Sequence, residues 1–334
     1  MPTSKEPPGQ HVWMYYARGI AMLLVVLHNV GSTLDEMGIG AAAAMTPIEN
    51  FFAPFRMPLL MFLSGMLLSR SLKKPPRRYF RGKLANIGWP YLVWSVIFLT
   101  VSQQISFISL IQILYNSPTY LWYLWFLLAY YIGLWVIIRC RIPMVAILGL
   151  SIIFAFVMPD FMRASRFFYL LTFFVAGDMV SRNMEFVVNL VSRIPVIVLA
   201  LFTAICTGAL SVYGVEVRYD AVYIIGVASA ILILIIALPR LKVTPRKQWL
   251  AFIGKNSLII YVTHRPVMWI TVHFLYNLTQ KYEHIYPVTF AAAFGAGILS
   301  AVVSGKSRVL KAFFVWPSSE VEKLRHSRLG QSRK

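Results

Sequence analysis

Charged residues are scarce in this chain. Of its 334 residues, 13% are charged and 58% are hydrophobic, and the mean hydropathy is +0.67. A soluble domain carries roughly 25% charged residues, so the deficit excludes an ordinary water-soluble protein. A larger core does not account for it. The chain therefore needs a non-aqueous environment around much of its surface.

Acidic residues are the scarcest charged group, with 12 Asp+Glu against 32 Lys+Arg, which gives a net charge of +20. In a soluble protein this balance would indicate a nucleic-acid partner. Here the basic residues lie in short segments between long apolar runs, which is the distribution of the positive-inside rule. We therefore predict a membrane protein with no nucleic-acid partner.

Cysteine is also rare. Cys140 is predicted to lie at a helix end and Cys206 inside an apolar run, so we expect neither a disulfide between them nor a metal site. Residues 1–10 are polar and contain proline. They lack the short apolar region and small-residue cleavage site of a signal peptide, so the first apolar run is expected to remain as a membrane anchor.

Long apolar runs are abundant, and they predict an all-α bundle of about ten transmembrane helices. A helix needs about 20 apolar residues to cross the hydrocarbon core. The candidate spans are residues 12–33, 50–69, 84–103, 119–138, 142–159, 166–181, 194–213, 219–238, 256–276 and 285–304.

The loop charges predict the orientation of this bundle. With ten spans, 25 of the 32 Lys+Arg fall on one side, seven of them in segment 70–83. Only Arg163, Arg166, Arg218 and Lys281 fall on the other side, and the remaining three lie inside spans. The basic side is expected to face the cytoplasm, which places both termini there. We predict a membrane domain over 1–304 and a basic, partly disordered tail over 305–334, and we expect segment 104–116 to lie flat at the outer interface.

Five ionisable residues stand out inside predicted spans: Arg18, His28, Arg56, His264 and Arg265. Each costs about 2.5–3.5 kcal/mol or more at the membrane centre, and such residues are functional candidates by default. The two histidines reach a similar depth on different helices. A histidine in a bundle can instead serve only as a hydrogen-bonding group between helices, and Arg18 and Arg56 can extend to an interface.

Five motifs occur in an order that resembles the acyltransferase-3 family of integral-membrane acyltransferases. They are RGIA followed by LLVV and His28, FRMPLLMFLSGMLL, RRYFRGKLANIGWPYLVWSVI, TYLWYLWFLLAYYIGL and GKNSLIIYVTHRPV. The resemblance covers most of the chain, and the number of predicted helices agrees with it.

This resemblance implies an enzyme, a carbohydrate O-acetyltransferase of the bacterial inner membrane. It would move an acyl group, usually acetyl, from acetyl-CoA to a hydroxyl of a surface glycan or a lipid-linked sugar precursor. No cofactor would be permanently bound. The implied partners are the glycan acceptor, membrane lipids and glycan-assembly proteins.

The resemblance also implies roles for individual residues. His28 would be the catalytic base, Arg18 would bind or orient the donor, and His264 would position the acceptor or steady the base. Phosphates of the donor would be bound by the basic motif, which comprises Arg77, Arg78, Arg81 and Lys83. Guanidinium groups are suited to that task, although such a loop can also serve only to anchor the topology and contact anionic lipid.

Four further residues are predicted to bind the substrate, namely Arg56, Arg265, Trp122 and Trp125. Aromatic side chains can stack on sugars, but tryptophans at a helix end also form interfacial belts. The acidic residues on the same side, Asp35, Glu36 and Glu49, could contact an acceptor, but we expect them to be solvated loop charges.

One departure from the family pattern concerns the first helix. Nine residues separate Arg18 from His28, where the family usually has ten. Ten helical steps leave two side chains about 80° apart around the helix axis, and Asn29 occupies the usual phase. The sequence leaves three alternatives: a π-bulge in this helix, side chains that point in different directions, or lost activity.

Two other functions remain compatible with these features. A transporter of a small metabolite or lipid would use the buried Arg and His residues to line its path, although paired broken helices in two related halves are not evident. A non-catalytic relative of the enzyme would explain the shifted His28.

Overall fold

The computed structural model describes residues 12–39, 45–115, 117, 119–159, 161–240, 248–278 and 282–317, which contain helices and no strand. Ten helices lie where the sequence predicts spans. They are α1 (Val12–Glu36), α2 (Thr46–Leu72), α3 (Pro76–Val101), α4 (Trp122–Arg139), α5 (Met144–Val157), α6 (Ala164–Arg182), α7 (Ile194–Val212), α8 (Ala221–Arg240), α9 (Ser257–Leu278) and α10 (Tyr282–Lys306).

Eight of these helices are long and apolar enough to cross a membrane; α5 and α6 are the exceptions. The 14 residues of α5 would span about 21 Å, which is less than the hydrocarbon thickness of about 30 Å. The 19 residues of α6 are long enough but include Arg166 and Asp178. The fold is a polytopic helical bundle, as predicted. We call the end of the bundle that carries segment 70–83 the basic end, and we call the other end of the bundle the opposite end.

Two of the long helices are irregular next to a proline, and α2 is interrupted again between Gly65 and Leu68, where there is no proline. In α2 the helix is interrupted between Phe52 and Arg56, around Pro54. In α3 a π-helical turn, Leu84–Gly88, precedes Pro90. Proline lacks the N–H group that an α-helix needs, and its ring clashes with the carbonyl four residues earlier. The helix therefore breaks or widens at these points.

α1 lies at the centre of the bundle. It packs against α2, α8, α9 and α10, and against the short helix Gln248–Lys255. In contrast, α7 is peripheral and leaves the apolar side chains of Leu199, Phe202 and Ile205 more than half exposed. Since these residues lie three apart and share one helix face, this face is suited to contact lipid.

The other short helices are Phe107–Tyr115, Met184–Val191 and Arg308–Ala312. Phe107–Tyr115 forms within the segment expected at the outer interface, and it exposes large apolar side chains. Its position relative to a membrane stays a prediction.

The first part of the predicted tail is folded. After α10 the chain forms Arg308–Ala312 and packs against α3. The indole nitrogen of Trp89 donates to the carbonyl of Ala312 over 2.6 Å, and that of Trp94 donates to the carbonyl of Phe313 over 3.1 Å. These residues of the predicted tail are therefore ordered, which is compatible with a tail that is only partly disordered, and residues 318–334 lie outside the described residues.

Candidate functional site

His28 on α1 pairs with a carboxylate that α2 supplies. Its Nδ1 atom lies 3.4 Å from Oε2 of Glu49. The side chain of His28 is 27% exposed, whereas that of Glu49 is 9% exposed. The carboxylate thus lies behind the imidazole ring, and the ring faces open space.

The second ring nitrogen of His28 faces a guanidinium. Its Nε2 atom lies 3.4 Å from a terminal nitrogen of Arg218. A guanidinium only donates hydrogen bonds, so Nε2 presents its lone pair to Arg218 and the ring proton lies on Nδ1, facing Glu49. This tautomer is assigned from the neighbouring groups. A histidine with a carboxylate beside one nitrogen and a lone pair on the other can act as a general base. In His28 that lone pair faces Arg218, so a substrate hydroxyl must take the place of the guanidinium at Nε2.

The position of Glu49 depends on a hydrogen bond from α10 and on a glycine of α1. The hydroxyl of Tyr286 on α10 donates a hydrogen bond to its carboxylate. Gly31 follows His28 by one helical turn on the same face of α1, and a Cβ atom at this position would lie 2.8 Å from Oε2 of Glu49. Glycine therefore leaves the room that the carboxylate needs to reach His28.

His28 lines two cavities at the opposite end of the bundle. The first has a volume of about 310 Å³ and is formed by α1, α2, α3, α4, α6 and α9 together with the connections that precede α4 and α8. The second has a volume of about 510 Å³ and lies against the connection between α7 and α8. The residues that line both cavities are His28, Arg166, Arg218 and Tyr219. A group bound in either cavity can therefore contact the imidazole.

The first cavity is strongly basic. Five arginines line it, namely Arg56, Arg163, Arg166, Arg218 and Arg265. Arg265 is balanced by Glu36, whose carboxylate oxygens lie 2.6 and 2.8 Å from the guanidinium, and it also donates to Thr33 over 3.1 Å. Arg163 donates to the backbone carbonyl of Ser117 over 3.1 Å.

The other three arginines have no carboxylate within salt-bridge distance among the described residues. Arg56 is only 4% exposed. Arg166 lies with its guanidinium carbon 4.5 Å from the centroid of the Tyr219 ring and 5.5 Å from that of Trp122. Arg218 contacts His28 as described.

The structure does not bring Arg18 together with His28. α1 is α-helical throughout, so the alternative of a π-bulge in this helix is wrong. Arg18 instead donates to the backbone carbonyl of Leu63 on α2 over 3.3 Å. Asn29, in the usual phase, lines the first cavity but donates to the carbonyl of Val25 in its own helix. The two predicted residues point in different directions, which was the second alternative.

The residues predicted to bind the donor lie at the basic end. Arg77, Arg78 and Arg81 are exposed on the helical segment Pro76–Lys83, which begins α3. The ammonium of Lys83 lies 3.1 Å from the centroid of the Tyr131 ring and donates to Ser71. None of these four residues lines either cavity.

Two other predicted residues also lie outside the cavities. His264 is fully buried, and its Nδ1 atom lies 2.5 Å from the carbonyl oxygen of Tyr261 one turn earlier. Its ring packs behind Tyr120 and Tyr261, which line the first cavity. Trp125 donates to the carbonyl of Leu114 and packs against Phe167. Of the predicted substrate-binding residues, Trp122, Arg56 and Arg265 line the cavity.

The sequence interpretation missed several residues of this site. The expectation of a solvated loop charge is wrong for Glu49, which is buried against His28, and Glu36 is paired with Arg265. Arg163, Arg166 and Arg218 were assigned to the weakly charged side, and no role was predicted for them. A signal was present, because arginines on the side that the positive-inside rule depletes need a separate explanation.

Comparison with protein families identifies the family of the chain. A family model described as an acyltransferase domain matches residues 11–305, which include all ten long helices except the end of α10. Comparisons with curated proteins and with solved structures give no match. The chain belongs to the acyltransferase-3 family of membrane acyltransferases.

Proposed function

We propose that this acyltransferase moves an acetyl group from acetyl-CoA to a hydroxyl of a surface glycan or a lipid-linked sugar precursor, with His28 as the general base. The observation that carries the proposal is the pairing of His28 with Glu49 at a point where two cavities meet. A transferase needs two substrates at one base, and both cavities give access to the imidazole.

The chemical step uses the Nε2 lone pair of His28, once the acceptor hydroxyl has replaced the guanidinium of Arg218 at that atom. Nε2 removes the proton of the acceptor hydroxyl as its oxygen attacks the thioester carbonyl. The new C–O bond forms, the C–S bond breaks, and the proton passes from His28 to the departing thiolate. General base catalysis of this kind contributes about 10²–10⁴-fold to the rate. Arg218, beside Nε2, is placed to stabilise the negative charge that develops on the carbonyl oxygen.

Donor binding is proposed for the basic motif, where exposed guanidinium groups can bind phosphates. Arg18 and His28 are ten residues apart on α1, so about 15 Å separates their levels along the helix. Next to Leu63, whose carbonyl Arg18 contacts, the side chains are tightly packed: Tyr131 donates to the carbonyl of Ser64 over 2.8 Å, and the hydroxyls of Ser64 and Tyr123 lie 3.3 Å apart. Entry of the thioester from the basic end therefore requires these side chains to move.

The experiment is mass spectrometry of surface glycans from cells that express the wild type, His28→Ala or no protein. We expect an acetyl mass increment only with the wild type. His284→Ala is the matched control, because His284 is exposed on α10 and lines neither cavity; it should retain the increment. The same comparison with purified protein and radiolabelled acetyl-CoA tests the donor.

Each outcome has a distinct meaning. An increment that survives His28→Ala would remove His28 from the base role. Absence of transfer from acetyl-CoA, with the protein shown to be inserted and folded, would contradict the proposed donor. A variant that inserts normally and loses the increment supports both the reaction and the base.

A further inference from the structure

The first cavity carries more positive charge than its described carboxylates balance. Five arginines line it, but Glu36 is already paired with Arg265. Glu49 faces His28 and accepts a hydrogen bond from Tyr286. Arg56, Arg166 and Arg218 have no salt-bridge partner within the part of the chain that the structure describes.

Unbalanced charge of this kind is expensive in a membrane protein. A buried guanidinium requires an opposite charge or complete hydrogen bonding to offset its lost hydration. Arg56 is 4% exposed, and the Nε atom of Arg166 is buried without a hydrogen-bond partner among the described residues. A neutral sugar would supply hydrogen bonds but no counter-charge, so these arginines indicate a ligand that is itself negative.

The arrangement also leaves donor groups available for such a ligand. The guanidinium of Arg166 lies against the Tyr219 ring, a contact that restrains its plane through a cation–π interaction. Arg166 and Arg218 line both cavities beside His28. An oxyanion bound between them would hold a neighbouring hydroxyl of the same molecule close to Nε2. Arginine is suited to this role because its planar donors bind phosphate and carboxylate in pairs.

We propose that the acceptor is anionic: a hydroxyl-bearing sugar unit with a phosphate or carboxylate group that Arg56, Arg166 and Arg218 bind. The inference rests on the proposed function, because it concerns the substrate of the same site. Coenzyme A also carries phosphates and is the rival source of the same chemistry. The two sources differ in position, since the donor motif lies at the basic end and these arginines lie at the opposite end.

The test measures binding to the purified full-length protein by calorimetry and by thermal unfolding. The probes are inorganic pyrophosphate, glucuronate, glucose and coenzyme A. We expect pyrophosphate and glucuronate to bind and to raise the unfolding temperature, and glucose to do neither at the same concentration. Arg218→Gln and Arg166→Gln should each weaken anion binding roughly tenfold or more, as expected for loss of a charged hydrogen bond.

Arg139→Gln is the matched control. Arg139 ends α4 at the basic end, where its guanidinium lies 3.9 Å from the Trp135 ring centroid. This variant should bind pyrophosphate as the wild type does. Because Arg218 is exposed, we expect the Arg218→Gln protein to fold even if the Arg166→Gln protein does not.

Two results with the folded wild type would overturn the proposal: no binding of either anion, or binding of glucose as tight as that of the anions. Weaker coenzyme A binding by Arg218→Gln and Arg166→Gln would also overturn it, because the arginines would then belong to the donor site. The proposed function fails separately, through absence of acetyl transfer, because the binding assay involves no reaction. Anion binding that is lost in both variants while coenzyme A binding is retained supports an anionic acceptor.

Discussion

At the residue scale, Glu49 decides which nitrogen of His28 carries the proton. Its carboxylate lies 3.4 Å from Nδ1, which favours the proton on that atom and leaves Nε2 as the basic atom. A carboxamide in the same place can present its NH₂ group to Nδ1 and favour the other tautomer, which has no lone pair on Nε2. Loss of the carboxylate in comparable His–carboxylate pairs lowers kcat by roughly 10⁴-fold.

We therefore expect Glu49→Gln to lower the rate of acetyl transfer by roughly 10²–10⁴-fold without preventing insertion into the membrane. The measurement is the initial rate with radiolabelled acetyl-CoA and the purified protein in liposomes. Glu185→Gln is the control, because Glu185 is exposed near the basic end and should have no effect. A Glu49→Gln protein that is folded and fully active would show that the carboxylate has no role in catalysis.

The sequence predicts some residues of this site and not others, for a physical reason. His28 and Arg56 stand out because an ionisable side chain inside an apolar run is costly. Glu49 lies near the start of a span, where a solvated loop charge has the same sequence appearance. Only the three-dimensional placement of α2 beside α1 makes Glu49 a partner of His28, and Gly31 permits that contact.

At the element scale, the apolar runs locate all ten helices, and eight of these have the length and hydropathy that crossing a membrane requires whatever the tertiary contacts. The same reasoning does not show how helices pack. The folded segment after α10 depends on two tryptophan donors of α3, Trp89 and Trp94. Basic composition alone does not reveal these contacts.

The contact between α2 and α6 depends on two glycines, one of which belongs to the second sequence motif. Gly65 of the second motif lies against the backbone carbonyl of Phe174, and Gly177 lies against that of Phe62. The two glycines let the backbones approach closely, as small residues do between membrane helices. A Cβ atom at either position would collide with backbone, which cannot move aside as a flexible side chain can.

We expect Gly65→Ala to destabilise the protein by about 1–3 kcal/mol or more, the usual range for overpacking a tight interior. The measurement is the thermal unfolding midpoint in detergent. Gly149→Ala on α5 is the matched control, because no heavy atom lies within 4 Å of its added Cβ. Equal midpoints for the wild type and Gly65→Ala would show that the helices separate at no cost.

At the scale of the whole molecule, the charge distribution and the site are connected. Of the four basic residues that the sequence assigns to the weakly charged side, Arg163, Arg166 and Arg218 line the first cavity, and Lys281 lies outside the described residues. The arginines that depart from the positive-inside pattern are thus the ones that border His28. Their position away from the basic end separates the proposed donor and acceptor sites along the membrane normal.

The orientation predicted from the loop charges makes this separation testable. Cys140 is exposed at the end of α4, on the basic end, so in a Cys206→Ser background it is a single label site. We expect a membrane-impermeant maleimide to label it only after spheroplasts are opened. The reciprocal variant is Tyr213→Cys in a background without Cys140 and Cys206. Tyr213 is exposed directly after α7, at the opposite end of the bundle, so its thiol should be labelled in intact spheroplasts. The reverse labelling pattern would place the arginine-lined cavity on the cytoplasmic side, where acetyl-CoA is present. The acetyl group would then not need to cross the membrane, and the acceptor would have to be a cytoplasmic precursor.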